Sequence, residues 1–296
     1  MRRLSSRHYA IGAALFAVML AFVFSYCAGG QSQGPDYSAQ EKSIADQISG
    51  LRALPDDVRA RTTQELALRI RKLPASSNKL RLAYSLANLS TEGDFGIHAL
   101  QEVATTLADA LRESPMRAKN GAPPPPYLEL AELVRYEHVE VFLDDPQFAA
   151  ATATVEGDEA SRQNADFTLS DLDGKSWTLQ QLRGNVVLVN FWATWCPPCR
   201  KELPDLNALY DCFKDQGFVI LGITNEDADK VKPFEDQHPA SYPILLDPGD
   251  QVHKQFRISG IPRSLVYDRS GKLVAESMDM RTQRQFLQML AQAGIE

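Results

Sequence analysis

The sequence predicts an α/β sandwich with a mixed central sheet, preceded by an all-α region and an N-terminal membrane segment. Three observations predict it: apolar β-rich runs alternate with helical stretches in the second half, helical periodicity fills the first half, and an uncharged stretch lies near the start. Strands that alternate with helices are typical of α/β folds. The order of these patterns predicts four segments, at 1–30, 31–50, 51–160 and 161–296.

The composition is that of an ordinary globular protein, with 44% hydrophobic and 23% charged residues among 296. The formal net charge of −7 is opposite in sign to the basic face that nucleic-acid binding needs. Four cysteines are too few for a small fold held together by disulfides. The composition therefore disfavours both a nucleic-acid-binding protein and a disulfide-rich scaffold.

The first 30 residues predict a membrane segment. No charged residue occurs from Tyr9 to Gly30, and three arginines precede this stretch. A membrane-spanning helix needs roughly 20 apolar residues, and arginines on its N-terminal side favour a cytoplasmic N-terminus. The rest of the chain is then expected outside the cytoplasm, in the periplasm. Three fates stay open: an uncleaved anchor, a cleaved signal peptide, or lipidation of Cys27, although Tyr26 is bulky for a lipoprotein motif.

The first half of the chain predicts a linker and then a helical domain. Residues 31–50 start polar and rich in small residues, which indicates a linker that leads into a helix. In the next segment, 51–160, apolar residues such as Leu66, Ile70 and Leu73 recur at three- and four-residue steps. Such a helical domain is suited to binding a partner in a groove or to acting as a spacer, so its role stays open.

The second half predicts strands and helices in alternation. The Asp173-Gly174 pair indicates a hairpin turn. The runs "NVVLVNFWA" and "FVILGIT" are typical of strands buried on both faces. A second hairpin is predicted across Ser270-Gly271, before an amphipathic C-terminal helix. Further helices are predicted over "PPCRKELPDLNALYDCFKDQG", "EDADKVKPFEDQHP" and "DQVHKQFRI".

The stretch "FWATWCPPCR" places Cys196 and Cys199 directly after a predicted strand and at the start of a predicted helix. Free backbone N–H groups and the positive end of the helix dipole favour a thiolate there. Pro197 and Pro198 suit the first helical turn, because a missing N–H costs little at that position. C-x-x-C beside this pattern predicts a redox pair, in which the first thiolate attacks a disulfide and the second releases the mixed disulfide.

Two other interpretations of the pair are weaker. A structural zinc site wants four ligands, but His238 and His253 are not at ligand spacing, so no metal is predicted. A purely structural disulfide would close too small a loop to remove much unfolded-state entropy. Cys212 lies thirteen residues past Cys199, roughly 20 Å along an ideal helix, and is predicted to be a small, semi-buried apolar residue outside the exchange chemistry.

Residues from about 165 to 296 resemble the thioredoxin superfamily, in particular the membrane-anchored TlpA/ResA/CcmG-like thiol-disulfide oxidoreductases. The resemblance is carried by "VVLVNFWATWCPPCRKELP", which includes Pro204, and by "GIPRSLVYDRSGKL". It covers a little under half of the chain and none of residues 31–160. It implies a thioredoxin fold and protein-disulfide reduction, and no cofactor is predicted.

The resemblance also implies substrate-binding and catalytic residues. Pro262 matches the cis-proline of the family, which lies beside the cysteines and, with Ile261, orients the substrate backbone. Trp195 is expected to shield the disulfide, and together with Pro197 and Pro198 it is expected to contact the substrate. A cis X–Pro bond is a deliberate feature in most proteins that contain one.

Glu202 matches a helix acid that lies near the cysteines in the ResA-like branch, where it is thought to tune the thiols or move protons. Many thioredoxins place a buried aspartate on the strand before the motif, but this sequence has Asn190 there. Proton handling by that route is therefore in doubt, and Glu202 becomes the stronger candidate for it.

The leading hypothesis is a membrane-tethered thiol-disulfide oxidoreductase that faces the periplasm. The resemblance suggests apocytochrome c or copper-site cysteines as clients, as in cytochrome c biogenesis, and a membrane thiol as electron donor. A peroxiredoxin-type peroxidase is the first alternative, although it would want threonine where this chain has Ala193. The second alternative is a helical partner-binding protein with a secondary redox domain. The direction of electron transfer stays open.

Overall fold

The computed structural model describes residues 35–296. Residues 39–296 form one compact unit. Its helices are α1 (Ala39–Gly50), α2 (Asp56–Arg71), α3 (Ser77–Ala87), α4 (Gly96–Glu113), α5 (Pro125–Tyr136), α6 (Pro146–Asn164), α7 (Pro197–Phe213), α8 (Ala228–Glu235), α9 (Gln251–Gln255) and α10 (Gln283–Gln292). Its strands are β1 (Thr168–Ser170), β2 (Ser176–Thr178), β3 (Val186–Phe191), β4 (Phe218–Thr224), β5 (Ile244–Leu246), β6 (Arg263–Tyr267) and β7 (Leu273–Ser277).

The predicted membrane segment cannot be compared with the fold. The apolar stretch at 9–30, with Cys27, lies outside the described residues. Within residues 35–296, none of the helices combines the length and the apolar character that crossing a membrane requires.

The helical region is built around α4, which packs against α2, α3 and α5. Its inner face is apolar, and Leu107 and Leu111 on it are fully buried. The structure differs from the sequence analysis at the predicted linker 31–50, because α1 occupies its second half. Ile44 is fully buried and Ile48 is 5% exposed, so this stretch is part of the folded helical region.

The mixed sheet confirms the predicted α/β fold after the helical region. Its strand order is β5-β4-β3-β6-β7, with β3 parallel to β4 and antiparallel to β6. All six residues of β3 are buried, which explains its continuous apolar run. Side chains alternate between the two faces, one packed against α7 and α10 and the other against α9. Both predicted hairpins form, as β1–β2 and β6–β7.

Buried ion pairs join the helical region to the sheet. Arg162 on α6 has a side chain 2% exposed and lies 2.5 Å from Glu276 on β7. Arg263 on β6 pairs with the same Glu276, and its Nη1 lies 2.8 Å from Glu132 on α5. The predicted boundary between residues 160 and 161 lies inside α6, two residues before Arg162. Buried ion pairs therefore connect the chain segments before and after this boundary.

Candidate active site

Cys196 and Cys199 lie at the N-terminal end of α7, directly after the central strand β3. They form a disulfide, and their exposed fractions are 2% and 1%. Cys196 is the N-cap residue of α7, and the backbone N–H of Cys199 donates to its Sγ at 3.3 Å. Because the first N–H groups of a helix lack intrahelical acceptors, the same position would stabilise a Cys196 thiolate in the reduced protein.

The loop that carries Pro262 lies against the cysteine pair. The Ile261–Pro262 peptide bond is cis, and the carbonyl oxygen of Ile261 lies 3.8 Å from Sγ of Cys196. Strand β6 begins at the next residue and pairs with β3, so the sheet holds this loop at the start of α7. The structure thus brings together four of the predicted site residues, which are distant in the sequence.

The remaining predicted substrate-binding residues flank the disulfide on the surface. Trp195 is 67% exposed, although it is a large apolar residue. Pro197 is exposed and Pro198 is half-buried. Most of the Trp195 indole therefore faces solvent and is free to contact a partner, while shielding of the disulfide by this side chain stays a prediction.

Glu202 is buried on α7, with an exposed fraction of 1%. The side-chain amide of Asn190 donates to its Oε1 at 2.8 Å, and the backbone N–H of Arg281 donates to its Oε2 at 3.2 Å. The same Asn190 amide donates to the hydroxyl of Ser264 at 3.0 Å. Asn190, which stands where many thioredoxins have a buried aspartate, is therefore hydrogen-bonded to Glu202, the remaining candidate for proton handling.

Burial raises the pKa of Glu202 to about 8, although the hydrogen bonds from Asn190 and Arg281 favour its carboxylate form. Cys199 precedes Glu202 by three residues on α7, a spacing that puts two side chains on the same helix face. An unperturbed thiol has a pKa of about 8.5. An acid whose pKa lies near the operating pH is suited to general acid–base work.

Sequence analysis missed Glu226, which fastens the loop in front of Cys196. The backbone N–H of Thr194 donates to its Oε2 at 2.6 Å, and the Thr194 hydroxyl donates to its Oε1 at 2.9 Å. Glu226 is 8% exposed. A signal was present: Glu226 follows β4, which is parallel to β3, and the carboxyl ends of parallel strands meet at one edge of a sheet.

Cys212 differs from what the sequence predicts, and His253 gains a partner that the sequence analysis did not name. Cys212 is free and exposed, so the prediction of a semi-buried residue is wrong. The apolar stripe of α7 passes through Leu209 and Phe213, and this leaves Cys212 on the solvent side. His253 is brought close to Asp247, whose Oδ2 lies 2.8 Å from the histidine Nδ1 and accepts from the histidine backbone N–H.

The acids around His253 lie at the start of α9. Ligand atoms of Asp247, Asp250 and His253 lie within 4.8 Å of one another. The carboxylate of Asp247 also accepts from the backbone N–H of Gln251 at 3.0 Å. These bonds satisfy N–H groups at the start of α9, so the cluster acts as a helix cap. The sequence analysis predicts no metal, and that stays a prediction.

Thiol–disulfide exchange needs a dithiol that can close on itself. The start of α7 supplies this dithiol, and the mixed sheet holds the Ile261–Pro262 loop against it. The fold and the site together define a thioredoxin-type thiol-disulfide oxidoreductase.

Known proteins are similar to the second half of the chain. The model of the AhpC/TSA family matches residues 160–276. Thiol-disulfide oxidoreductase ResA of Bacillus thuringiensis subsp. konkukian is 33% identical over 133 residues, which are 45% of this chain and 77% of that protein. ResA of Geobacillus thermodenitrificans is 36% identical over 127 residues, 43% of this chain and 71% of that one. The chain belongs to the ResA family of thiol-disulfide oxidoreductases.

Among solved structures, a thiol:disulfide interchange protein of the thioredoxin family from Chlorobium tepidum is similar to this chain. The two are 32% identical, with a TM-score of 0.40, over 43% of this chain and 92% of that one. The AhpC/TSA match begins at residue 160, so helices α1 to α5 lie before it.

Proposed function

We propose that this protein is a membrane-tethered, extracytoplasmic enzyme that reduces disulfides in other proteins through the Cys196–Cys199 dithiol. The observation that carries the proposal is the closed cysteine pair at the start of α7, with the Ile261 carbonyl 3.8 Å from Sγ of Cys196. Membership of the ResA family supports disulfides as substrates. The tether and the location rest on the uncharged stretch at 9–30 and the arginines before it.

The first step of the proposed reaction takes place at Cys196. Its thiolate attacks one sulfur of the client disulfide, the client S–S bond breaks, and the other client sulfur leaves as a thiolate. A mixed disulfide then joins the client to Cys196. The exposed Trp195 and Pro197 beside the pair offer apolar area for the client backbone, which lies along the Ile261–Pro262 loop.

The second step takes place at Cys199. Its thiol passes a proton to the carboxylate of Glu202, and the resulting thiolate attacks Sγ of Cys196. The mixed disulfide breaks, the client leaves with its second thiolate, and the Cys196–Cys199 disulfide remains. Two electrons have then passed from the dithiol to the client, so a membrane thiol donor must reduce the protein again. The sequence resemblance suggests apocytochrome c or copper-site cysteines as clients.

A peroxidase is the second candidate, because the matching family model carries the description AhpC/TSA. The residue three positions before Cys196 is Ala193, which is fully buried and has no hydroxyl to offer a peroxide. This residue weighs against the peroxidase. The partner-binding alternative remains for the helical region, beside the redox chemistry rather than in place of it.

The first test is the reduction potential of the cysteine pair. The protein is equilibrated with dithiothreitol or glutathione buffers, and the fraction of disulfide is measured by thiol labelling and mass spectrometry. A reductase is expected to titrate near thioredoxin, at about −270 mV, whereas a value near about −120 mV would indicate a disulfide donor. Failure to form the disulfide would overturn the proposal, and peroxide consumption by the reduced protein would favour the peroxidase.

The location has a reporter in the chain itself, because Cys212 is free and exposed. In intact cells, a thiol reagent that cannot cross the inner membrane is expected to label Cys212 if the folded part faces the periplasm. A Cys212→Ser variant, which keeps Cys27, Cys196 and Cys199, is the control, because any label it takes up marks those other cysteines. Labelling of Cys212 that appears only after the cells are lysed would contradict the extracytoplasmic location.

A further inference from the structure

The segment Asp279–Arg281 lies between the helical region and Glu202. It connects β7 to α10, which begins with a capping box formed by Thr282 and Gln285. Met280 and Arg281 are buried, with exposed fractions of 2% and 4%. The backbone N–H of Met280 donates to the carboxylate of Asp279 at 2.8 Å. This segment is therefore an ordered part of the unit rather than a loose connection.

The helical region holds this segment at two points. The hydroxyl of Thr91, between α3 and α4, donates to Oδ2 of Asp279 at 3.3 Å. The guanidinium of Arg281 donates to Oε1 of Glu137, the residue after α5. The side chains of Arg281 and Glu137 are 5% and 8% exposed. An ion pair with so little water around it is held in place, because separating the charges would leave one of them buried and alone.

The other side of the segment contacts the candidate proton acceptor. The backbone N–H of Arg281 donates to Oε2 of Glu202 at 3.2 Å. The Arg281 guanidinium also favours the Glu202 carboxylate electrostatically, and the carboxylate of Asp279 disfavours it. The other groups that face Glu202 are Asn190 on β3, which donates to it, and the buried hydroxyl of Tyr242 before β5.

We propose that the helical region positions Glu202 for proton exchange with Cys199, and that Glu137 and Thr91 do so through Arg281 and Asp279. This inference rests on the proposed function, in which Glu202 takes the proton of Cys199. Glu137 and Thr91 are positioning residues, because neither touches the cysteines. Both residues precede residue 160, where the family match begins, so this positioning of Glu202 depends on the helical region of this chain.

Loss of Glu137 and loss of Thr91 are expected to shift the pKa of Glu202 in opposite directions. Without Glu137, the guanidinium of Arg281 loses its partner. The backbone N–H and the charge of Arg281 are then no longer held beside the Glu202 carboxylate, so the pKa of Glu202 rises above about 8. The Thr91 hydroxyl favours the carboxylate form of Asp279. Without it, Asp279 keeps its proton to higher pH, its negative charge no longer faces Glu202, and the pKa of Glu202 falls.

The test is the pH dependence of the second step in the complete protein. The reduced enzyme is mixed with a small aromatic disulfide, and release of the second aromatic thiolate is followed by stopped flow from about pH 6 to 10. Glu137→Gln is expected to move the midpoint of the rate against pH to higher pH, and Thr91→Val is expected to move it to lower pH. Loss of one hydrogen bond corresponds to about a threefold to tenfold change in the ionisation constant of Glu202.

Control variants separate this inference from the proposed function. Asp94→Asn breaks the Asp94–Arg284 ion pair, which also joins the helical region to α10 but does not involve Glu202, and it is expected to leave the midpoint unchanged. Glu202→Gln is expected to change the profile, because only the Cys199 thiol itself then ionises in the second step. A wild-type profile in Glu202→Gln would overturn the proton role itself. If Glu202→Gln changes the profile while Glu137→Gln and Thr91→Val leave its midpoint unmoved, the positioning inference fails and the proposed function stands.

A milder variant covers the case in which Glu137→Gln does not fold. Glu137→Asp keeps the charge but shortens the side chain, so Arg281 is held less closely. It is expected to shift the midpoint in the same upward direction by a smaller amount. A downward shift in Glu137→Asp, or equal shifts in Glu137→Asp and Asp94→Asn, would contradict the positioning of Glu202 through Arg281.

Discussion

Replacing Cys196 with serine is expected to abolish thiol–disulfide exchange, whereas Cys199→Ser is expected to stop the reaction at the mixed disulfide. The serine hydroxyl is not ionised at neutral pH and cannot form a disulfide, so a protein without Cys196 lacks the thiolate that makes the first attack on the client. A protein without Cys199 still makes the first attack. The client then stays covalently bound to Cys196, because the other cysteine of the described residues, Cys212, lies near the far end of α7.

Non-reducing electrophoresis and mass spectrometry of the protein after incubation with a disulfide client distinguish these outcomes. Turnover of a small disulfide is expected to fall to the rate in buffer for both variants, and only Cys199→Ser should gain the mass of the client. Cys212→Ser is the matched control, since this thiol is free, exposed and on the same helix. Capture of the client by Cys196→Ser would show that Cys199 makes the first attack and would reverse the assigned roles.

The free energy of unfolding is expected to fall as the pH rises from about 5 to 8. Burial raises the pKa of Glu129 and of Glu202 from 4.5 to about 8, and that of Asp279 from 3.8 to about 7. Below the ordinary pKa values, the folded and unfolded chains hold the same protons and stability is fully present. Above them, the unfolded chain releases protons that the folded chain keeps, so rising pH favours unfolding until the folded-state pKa values are passed.

The size of this effect follows from proton linkage. One acid that is protonated only in the folded state changes the stability by about 1.4 kcal/mol per pH unit. Asp279 repels both Glu129 and Glu202, so the slope belongs to the three acids together rather than to each separately. A loss of several kcal/mol between about pH 5 and 8 is a large share of the stability of an ordinary domain.

Urea denaturation at about pH 5.5 and pH 8 measures this slope. The variants Glu129→Gln, Glu202→Gln and Asp279→Asn keep the side-chain shape and remove the titration, so each is expected to reduce the slope and the triple variant to reduce it most. Glu65→Gln, at an exposed position of α2, is the control and should leave it unchanged. Equal stability of the wild-type protein at both pH values would show that these acids are not protonated in the folded state.

Several parts of the fold and site follow from local patterns in the sequence. Continuous apolar runs predict β3 and β4 because a strand buried on both faces needs no polar side. The turn pairs at Asp173 and Ser270 predict both hairpins. The position of Cys196 at the start of α7 follows from the strand before it and the prolines after it. All of these depend on residues that are neighbours along the chain.

Other parts could not be predicted in this way. The second half of the predicted linker is helix α1, because Ile44 and Ile48 pack into a core that is formed mainly by other helices. The exposure of Cys212 depends on which face of α7 meets the sheet. Glu226 acquires its role only because β3 and β4 are adjacent and parallel.

The sequence by itself determined the order of the elements, the redox pair and its place at the start of a helix. The surroundings of Glu202 were decided by the tertiary structure alone. Its partner Arg281 lies 79 residues away along the chain. Glu137 lies 144 residues before Arg281, and Thr91 lies 188 before Asp279. The physical reason is that burial and charge act through space, so the proton affinity of an acid depends on groups that no local pattern connects to it.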